Sequence, residues 1–363
     1  MAMDANPFQG VLLHWIGGLA AASFYVPYRR VRHWSWETYW LTGGVFSWLV
    51  APWVLALCIV PDTPAVLAAA PAGSLFWTFF FGVMWGIGGL TFGLTMRYLG
   101  IALGYAVALG FCAAFGTLVP PIWEGKLGTI VGSTSGQVVL LGVVVCLVGI
   151  AASGAAGRSK ERELSDEEKK AAVREFSFAK GLVVAVFCGI MSACMSFAFA
   201  AGKPISELAV QHGAPPLWQN LPVLIVALAG GFLTNCVWCL ALNVRNRSGG
   251  EYARSELPAA GSGEPAARVP LLANYLFCML AGVTWYLQFF FYGMGTTKMG
   301  RYDFSSWTLH MASIIIFSTL WGWALQEWRG TSRRTHIWIT RGLLLLIAST
   351  VVVGIGNWLA LNH

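Results

Sequence analysis

Charge is scarce in this chain. Asp, Glu, Lys and Arg make up 11% of its 363 residues, against roughly 25% in an ordinary soluble domain. A soluble fold of this length needs several times more polar surface, so soluble enzymes and binding domains are excluded. Catalytic signatures are missing too. No H-E-x-x-H and no G-x-S-x-G occurs, which removes the common metallohydrolase and serine-hydrolase readings, and neither an enzyme nor a cofactor is expected. Residues 1–10 lack a basic n-region and the first apolar run has no clear A-x-A end, so a cleavable signal is not expected. The eight cysteines all fall inside apolar runs and read as small packing residues. Cys236 and Cys239 have redox or metal spacing, but no second Cys or His pair accompanies them.

What the chain has in quantity is apolar sequence. Hydrophobic residues make up 57% of it and the mean hydropathy is +0.65, so an all-α polytopic membrane protein in a lipid bilayer is expected. At about 20 apolar residues per crossing, ten crossings are expected, at 8–26, 39–60, 75–96, 99–119, 137–153, 181–201, 218–242, 271–294, 305–326 and 337–359. Only Arg97 and Tyr98 separate the third from the fourth, which makes that pair a tight antiparallel hairpin.

Of 23 Lys and Arg residues, 18 lie in the odd-numbered loops. The even loops hold Lys126, Lys203, Lys298 and Arg301, and Arg341 stands just inside the tenth crossing. Basic residues stay on the cytoplasmic side, so the odd loops are expected there and both termini outside. The net charge of +7 is therefore a topology signal and not a nucleic-acid footprint. The fifth loop, 158–178, is the most polar, and Ser165 with Glu168 has capping-box spacing. It reads as a tether. The seventh, 243–268, is rich in Gly, Ser, Ala and Pro and reads as a flexible linker.

Sliding the chain along itself by 200 residues superimposes Gly82, Val83, Trp85, Gly93 and Gly100 on Gly282, Val283, Trp285, Gly293 and Gly300. Two five-crossing repeats follow, 1–157 and 181–363, joined by a cytoplasmic linker at 158–180. Five is odd, so the second repeat enters the membrane inverted. Inverted repeats suit secondary transporters, because two halves that can exchange conformations provide outward-open and inward-open states of similar energy. Gly86, Gly88 and Gly89 correspond to Tyr286, Gln288 and Phe289. One half could supply space for the other's side chains, or the glycines could simply let helices approach.

Polar groups inside crossings are costly, which makes the few present candidates for function. On a helix Trp285, Gln288, Phe289 and Tyr292 share a face, and Asp303, Trp307 and His310 repeat the spacing. The deep rings Trp85, Trp285, Tyr286, Phe289 and Trp307 suit the apolar face of a neutral sugar, while His14, Asn235, Gln288 and His310 could bond its hydroxyls. Packing is the alternative for each ring. Trp34, Trp36, Trp40, Trp328 and Trp338 read as interface belt residues. Proton coupling needs a group that changes protonation between states. Asp303 is the first candidate, with a salt bridge to Lys298 or Arg301 as its competing role; His310 comes second. Glu124 and Glu327 stand at mirror-related helix ends, either as interfacial anchors or as a gating pair, and Glu327 is a further proton candidate.

Several stretches together resemble the bacterial L-rhamnose–proton symporter family of the drug/metabolite transporter superfamily. They are H-W-I-G at 14–17, W-S-W-E-T at 34–38, M-W-G-I-G at 84–88, G-L-T-M-R-Y-L-G at 93–100, S-F-A at 196–198 before K-P, W-Y-L-Q-F-F-F-Y at 285–292, Y-D-F-S-S-W-T-L-H-M at 302–311 and E-W at 327–328. The resemblance spans nearly the whole chain. It implies ten helices in two inverted halves with the drug/metabolite transporter fold, residence in the bacterial inner membrane, and uptake of L-rhamnose or a similar neutral sugar with a proton. A small-metabolite or drug exporter of the same superfamily, or an uncoupled sugar channel or sensor, are the alternatives.

Overall fold

A computed structural model describes residues 5–99, 101–163, 178–256, 268–326 and 328–361. These form long helices: α1 (Pro7–Ser23), α2 (Trp36–Ile59), α3 (Ala72–Leu99), α4 (Ile101–Trp123), α5 (Thr134–Glu163), α6 (Phe178–Ala201), α7 (Leu221–Asn246), α8 (Leu271–Thr296), α9 (Ser306–Ala324) and α10 (Arg333–Leu359). Among the described residues, eight apolar spans are long enough to cross a membrane. The protein is an all-helical integral membrane protein. Its apolar residues run round each helix because lipid lies on one side and protein on the other, and only a helix satisfies its own backbone there.

Local chemistry sets the ends. Asn6 Oδ1 accepts from Gln9 N at 3.1 Å and Pro7 occupies the first turn of α1. Glu163, the last residue of α5, accepts from Ser332 N at 2.7 Å and from Thr335 Oγ1 at 2.7 Å, which ties α5 to the start of α10. Within α2 the turns widen to a π-helix over Val45–Val50, just before Pro52, which has no N–H to donate.

The bundle is held by close crossings: α5 on α10, α3 on α6 and α7, α4 on α6, and α1 on α8 and α9. A Cβ on Gly82 would collide with the Ala227 carbonyl oxygen, and one on Gly282 with that of Gly43. Gly88 lies against Ser192, with a built Cβ only 2.5 Å from its backbone nitrogen, and Gly86 lies against Thr234. These two glycines therefore let helices approach and do not open space for a ligand.

Other sequence readings need adjustment. The linker expected at 158–180 is helical at both ends, since α5 continues to Glu163 and α6 starts at Phe178. Ser165 and Glu168 lie outside the described residues, as does Glu327. The seventh loop carries regular structure at both ends: α7 runs on to Asn246, a 3-10 turn covers Gly249–Tyr252, and Glu256 bridges to Arg268. Trp34 is buried against Tyr275 at 5.0 Å, and Trp40 points inward with its Nε1 donating to Asn235 Oδ1 at 3.1 Å. Neither is a belt residue.

Candidate functional site

One end of the bundle opens into a cavity of about 590 Å³. Its walls come from the ends of α4, α6 and α8, the start of α7, and the turn before α9. That turn is a 3-10 segment, Gly300–Ser305, interrupted by non-helical backbone at Tyr302 (φ −111°, ψ 47°). It is pinned from beneath, because the Tyr302 hydroxyl meets Ser133 Oγ at 2.8 Å and Ser135 Oγ at 2.9 Å, and Asn357 Nδ2 donates to Ser305 Oγ at 3.0 Å. The break in the helix places Asp303 at the cavity rim and sends Trp307 and His310 below it.

The ion pair of Asp303 is with neither Lys298 nor Arg301, as its position in the loop had suggested, but with Lys203 at the end of α6, at 3.1 Å. Lys203 also lies 3.8 Å from Glu124, which follows α4 and is paired with Lys126. Both members of the Lys203–Asp303 pair remain part-exposed, at 42% and 40%. Asp303 is thus not walled in by rings. Inside the rim the lining is neutral: Ser196, Gln219, Asn220, Thr296 and Thr297 offer hydroxyls and amides, and Phe199 and Tyr292 offer rings. Asn220 Nδ2 donates to the Gly293 carbonyl at 2.8 Å and to Thr296 Oγ1 at 3.1 Å, which holds the α7–α8 wall.

Tyr292 forms the floor, in edge contact with Phe199 at 4.8 Å. Beneath it, the His14 ring lies 5.3 Å and the His310 ring 5.2 Å from the Tyr292 ring. Both imidazoles are fully buried and none of their nitrogens has a hydrogen-bond partner. Such groups are rare in packed interiors. Trp307 packs on His310 at 5.9 Å, donates to the Cys112 carbonyl at 3.0 Å and fills the space over Gly116. Rings continue downward through Phe289 (5.8 Å from His310), Trp285, Trp85, Trp48 and Trp40, with centroid spacings between 5.3 and 6.5 Å.

The opposite end is shut by polar contacts. Glu37 at the start of α2 accepts from Asn246 Nδ2 at 2.9 Å and Ser248 Oγ at 2.7 Å. Ser35 donates to Glu251 through its N–H at 2.7 Å, and Asn274 exchanges two bonds with the Arg32 backbone.

Of the residues singled out from sequence, Asp303 lines the open cavity. His14, Phe289, Trp307 and His310 form the layer beneath its floor, with Trp85 and Trp285 one layer further. Tyr286 and Gln288 are buried on α8, the first with its hydroxyl unpartnered, the second where its carbonyl abuts Gly17. Asn235 is held by Trp40 in the closed half. Sequence reasoning passed over Ser196, Phe199, Asn220 and Thr296 as site residues. The signal available was positional: each lies within about two turns of a helix end on the Lys/Arg-poor side.

A neutral lining with ring faces and a single exposed ion-pair cluster suits an uncharged polyhydroxylated molecule and one exchangeable proton. Comparison with known proteins agrees. A family model described as L-rhamnose-proton symport protein matches residues 3–358. Proteins named L-rhamnose-proton symporter are similar along nearly their whole length: one from Cronobacter sakazakii is 41% identical over 349 residues, covering 96% of this chain and 97% of that one. Those from Klebsiella pneumoniae and Shigella flexneri are 38% identical over 349 residues, with the same coverage. With cavity, ring layer and matched length in agreement, this chain belongs to the L-rhamnose–proton symport protein family.

Proposed function

We propose that this protein imports L-rhamnose, or a closely related neutral deoxy sugar, across the bacterial inner membrane together with a proton, by alternating access between two inverted five-helix halves. The observation that carries the proposal is the cavity itself, in which neutral hydrogen-bonding groups and ring faces meet a cluster of carboxylates and ammonium groups, Asp303, Lys203, Glu124 and Lys126, at the rim. The relatives' shared name supplies the sugar. Sugar hydroxyls pair with Asn220, Ser196 and Thr296, and its apolar face lies on Phe199 and Tyr292. Asp303 takes up the proton at the rim, which frees Lys203 to turn toward Glu124. As the rim closes, the ring layer parts and the sugar passes to His14 and His310, whose nitrogens then gain partners. Asp303 passes its proton through the parted floor to His310, which releases it on the far side, and the ionised Asp303 pairs with Lys203 again.

Ten crossings in two halves, 1–157 and 181–363, are supported by which helices meet. α1 packs on α8 and α9 as α6 packs on α3 and α4, and α2 meets α8 as α7 meets α3. Single residues follow the same exchange. The swap that carries Gly149 to Gly356 carries Val139 to Leu346, and Gly149 packs on Leu346 as Gly356 packs on Val139. The cavity stands at the end poor in Lys and Arg, which the positive-inside rule places in the periplasm along with both termini. A potential of roughly 150 mV gives about 3.5 kcal/mol per proton, enough for about 300-fold accumulation of a neutral sugar.

Labelled L-rhamnose and proteoliposomes test this. Uptake against a gradient is expected when a potential and pH difference are imposed, and counterflow exchange when they are collapsed. Equilibration without counterflow would identify a channel, and uptake indifferent to the proton gradient would refute symport.

A further inference from the structure

Arg341 does not line the open cavity. It stands on α10 eight residues after Arg333, about 12 Å along the helix axis at 1.5 Å per residue. Its side chain is exposed on the outer, lipid-facing surface of the bundle, and its guanidinium lies 5.7 Å from the ring centroid of Trp338. Among the described residues no carboxylate pairs with it. A cation at this depth is costly unless an anion meets it, and one exposed indole contact compensates only weakly.

Next to this cation runs a groove of about 630 Å³ between α5 and α10. Its α5 wall is made of Val148, Ala151, Ala152 and Ala155, and its α10 wall carries Leu344 and Ala348 beyond Arg341. The α5 wall extends over eight residues, about 10 Å. Small side chains make the groove, because α5 and α10 are drawn together just behind it, with Gly149 against Leu346 and Gly342 against Ser153. The result is a polar head position continuous with an apolar trough. The exchange that carries Gly149 to Gly356 carries Thr134 to Arg341, so the charge belongs to one end of the molecule only. That end also carries Arg333 and Arg334 of the ninth loop and the Lys160 and Arg162 end of α5.

We propose that this groove binds one anionic phospholipid, with its phosphate on the Arg341 guanidinium beside Trp338 and one acyl chain laid along Ala152, Ala151 and Val148, toward Leu344 and Ala348. Phosphate accepts from guanidinium in a two-pronged geometry, and basic pockets between membrane helices at the positively charged end favour anionic headgroups. A second copy of the chain would bring an identical Arg341 to the same face and would need to bury it, which disfavours a dimer here.

Native mass spectrometry of the purified full-length protein tests the site without reference to any sugar. Phosphatidylglycerol and phosphatidylethanolamine of equal acyl length are titrated in the same detergent. Retention of phosphatidylglycerol is expected at about tenfold lower concentration, a ratio worth 1.4 kcal/mol. Arg341→Gln should abolish that preference and Arg341→Lys should keep most of it, which separates charge from packing damage. Ala151→Leu, at an exposed position in the trough, should weaken retention of both lipids. Equal retention of the two lipids by the unaltered protein, or an unchanged preference in Arg341→Gln, would overturn the proposal. So would a disulfide-linked dimer formed by Ala151→Cys.

Discussion

Replacing Asp303 by Asn keeps the side chain's shape and removes its charge. Its partner Lys203 lies at 3.1 Å and retains Glu124 at 3.8 Å. Because both members of the lost pair are about 40% exposed, solvent screens them, and the stability loss is expected to be below about 1 kcal/mol. The effect on coupling is larger. Without a carboxylate to carry the proton, the potential of roughly 150 mV no longer acts on the sugar, and about 3.5 kcal/mol of driving force disappears. The accumulation ratio in energised proteoliposomes should fall from about 300 toward 1. Counterflow exchange of labelled L-rhamnose, which needs only alternating access, should stay within about threefold of the unaltered protein. Measuring both on one preparation separates coupling from folding. An unchanged accumulation ratio would refute Asp303 as the proton carrier and move attention to His310 and Glu327.

Three further outcomes are expected. His14→Phe keeps an aromatic ring but adds volume where Gly295 already lies against the imidazole, and it removes two nitrogens that have no partner in the packed layer, so thermal stability should fall by about 1–3 kcal/mol while counterflow is lost; full exchange activity would exclude imidazole contact with the sugar. Gly18→Val forces a side chain into Ser313 across the α1–α9 crossing, and a destabilisation of about 1–3 kcal/mol should appear in thermal denaturation. Glu37→Ala removes the acceptor shared by Asn246 and Ser248; Asn246 is exposed and Ser248 keeps Asn243 Oδ1 at 2.8 Å, so the cost should be about 1 kcal/mol. Hydrogen exchange at the start of α2 should then rise, and unchanged protection there would show that this cluster does not close that end.

Helix positions were legible because lipid imposes one rule on every crossing. The apolar run at 271–294 became Leu271–Thr296 and the run at 337–359 became Arg333–Leu359, since the backbone must stay helical through hydrocarbon whatever the neighbours do. Family membership was legible in the motifs around 285–292 and 302–311. The glycines at 86 and 88 were ambiguous, because a missing side chain looks the same in sequence whether a ligand or a helix backbone takes the space. Asp303 was singled out in the sequence and lines the cavity, but its partner was sought nearby in sequence at Lys298 and Arg301. The helix break at Tyr302 turns the carboxylate toward a different helix end.

By itself, then, the sequence determined the membrane class, the course of most of the long helices and the family, since each depends on local hydrophobicity or on contiguous motifs. Only the tertiary structure decided that Lys203, Glu124 and Asp303 share one rim, that Tyr292 separates the cavity from His14 and His310, and that Arg341 faces outward beside an empty-sided trough of alanines. Those relations join residues up to about three hundred positions apart. Helix packing alone brings them together, through glycine crossings whose partners no local pattern names.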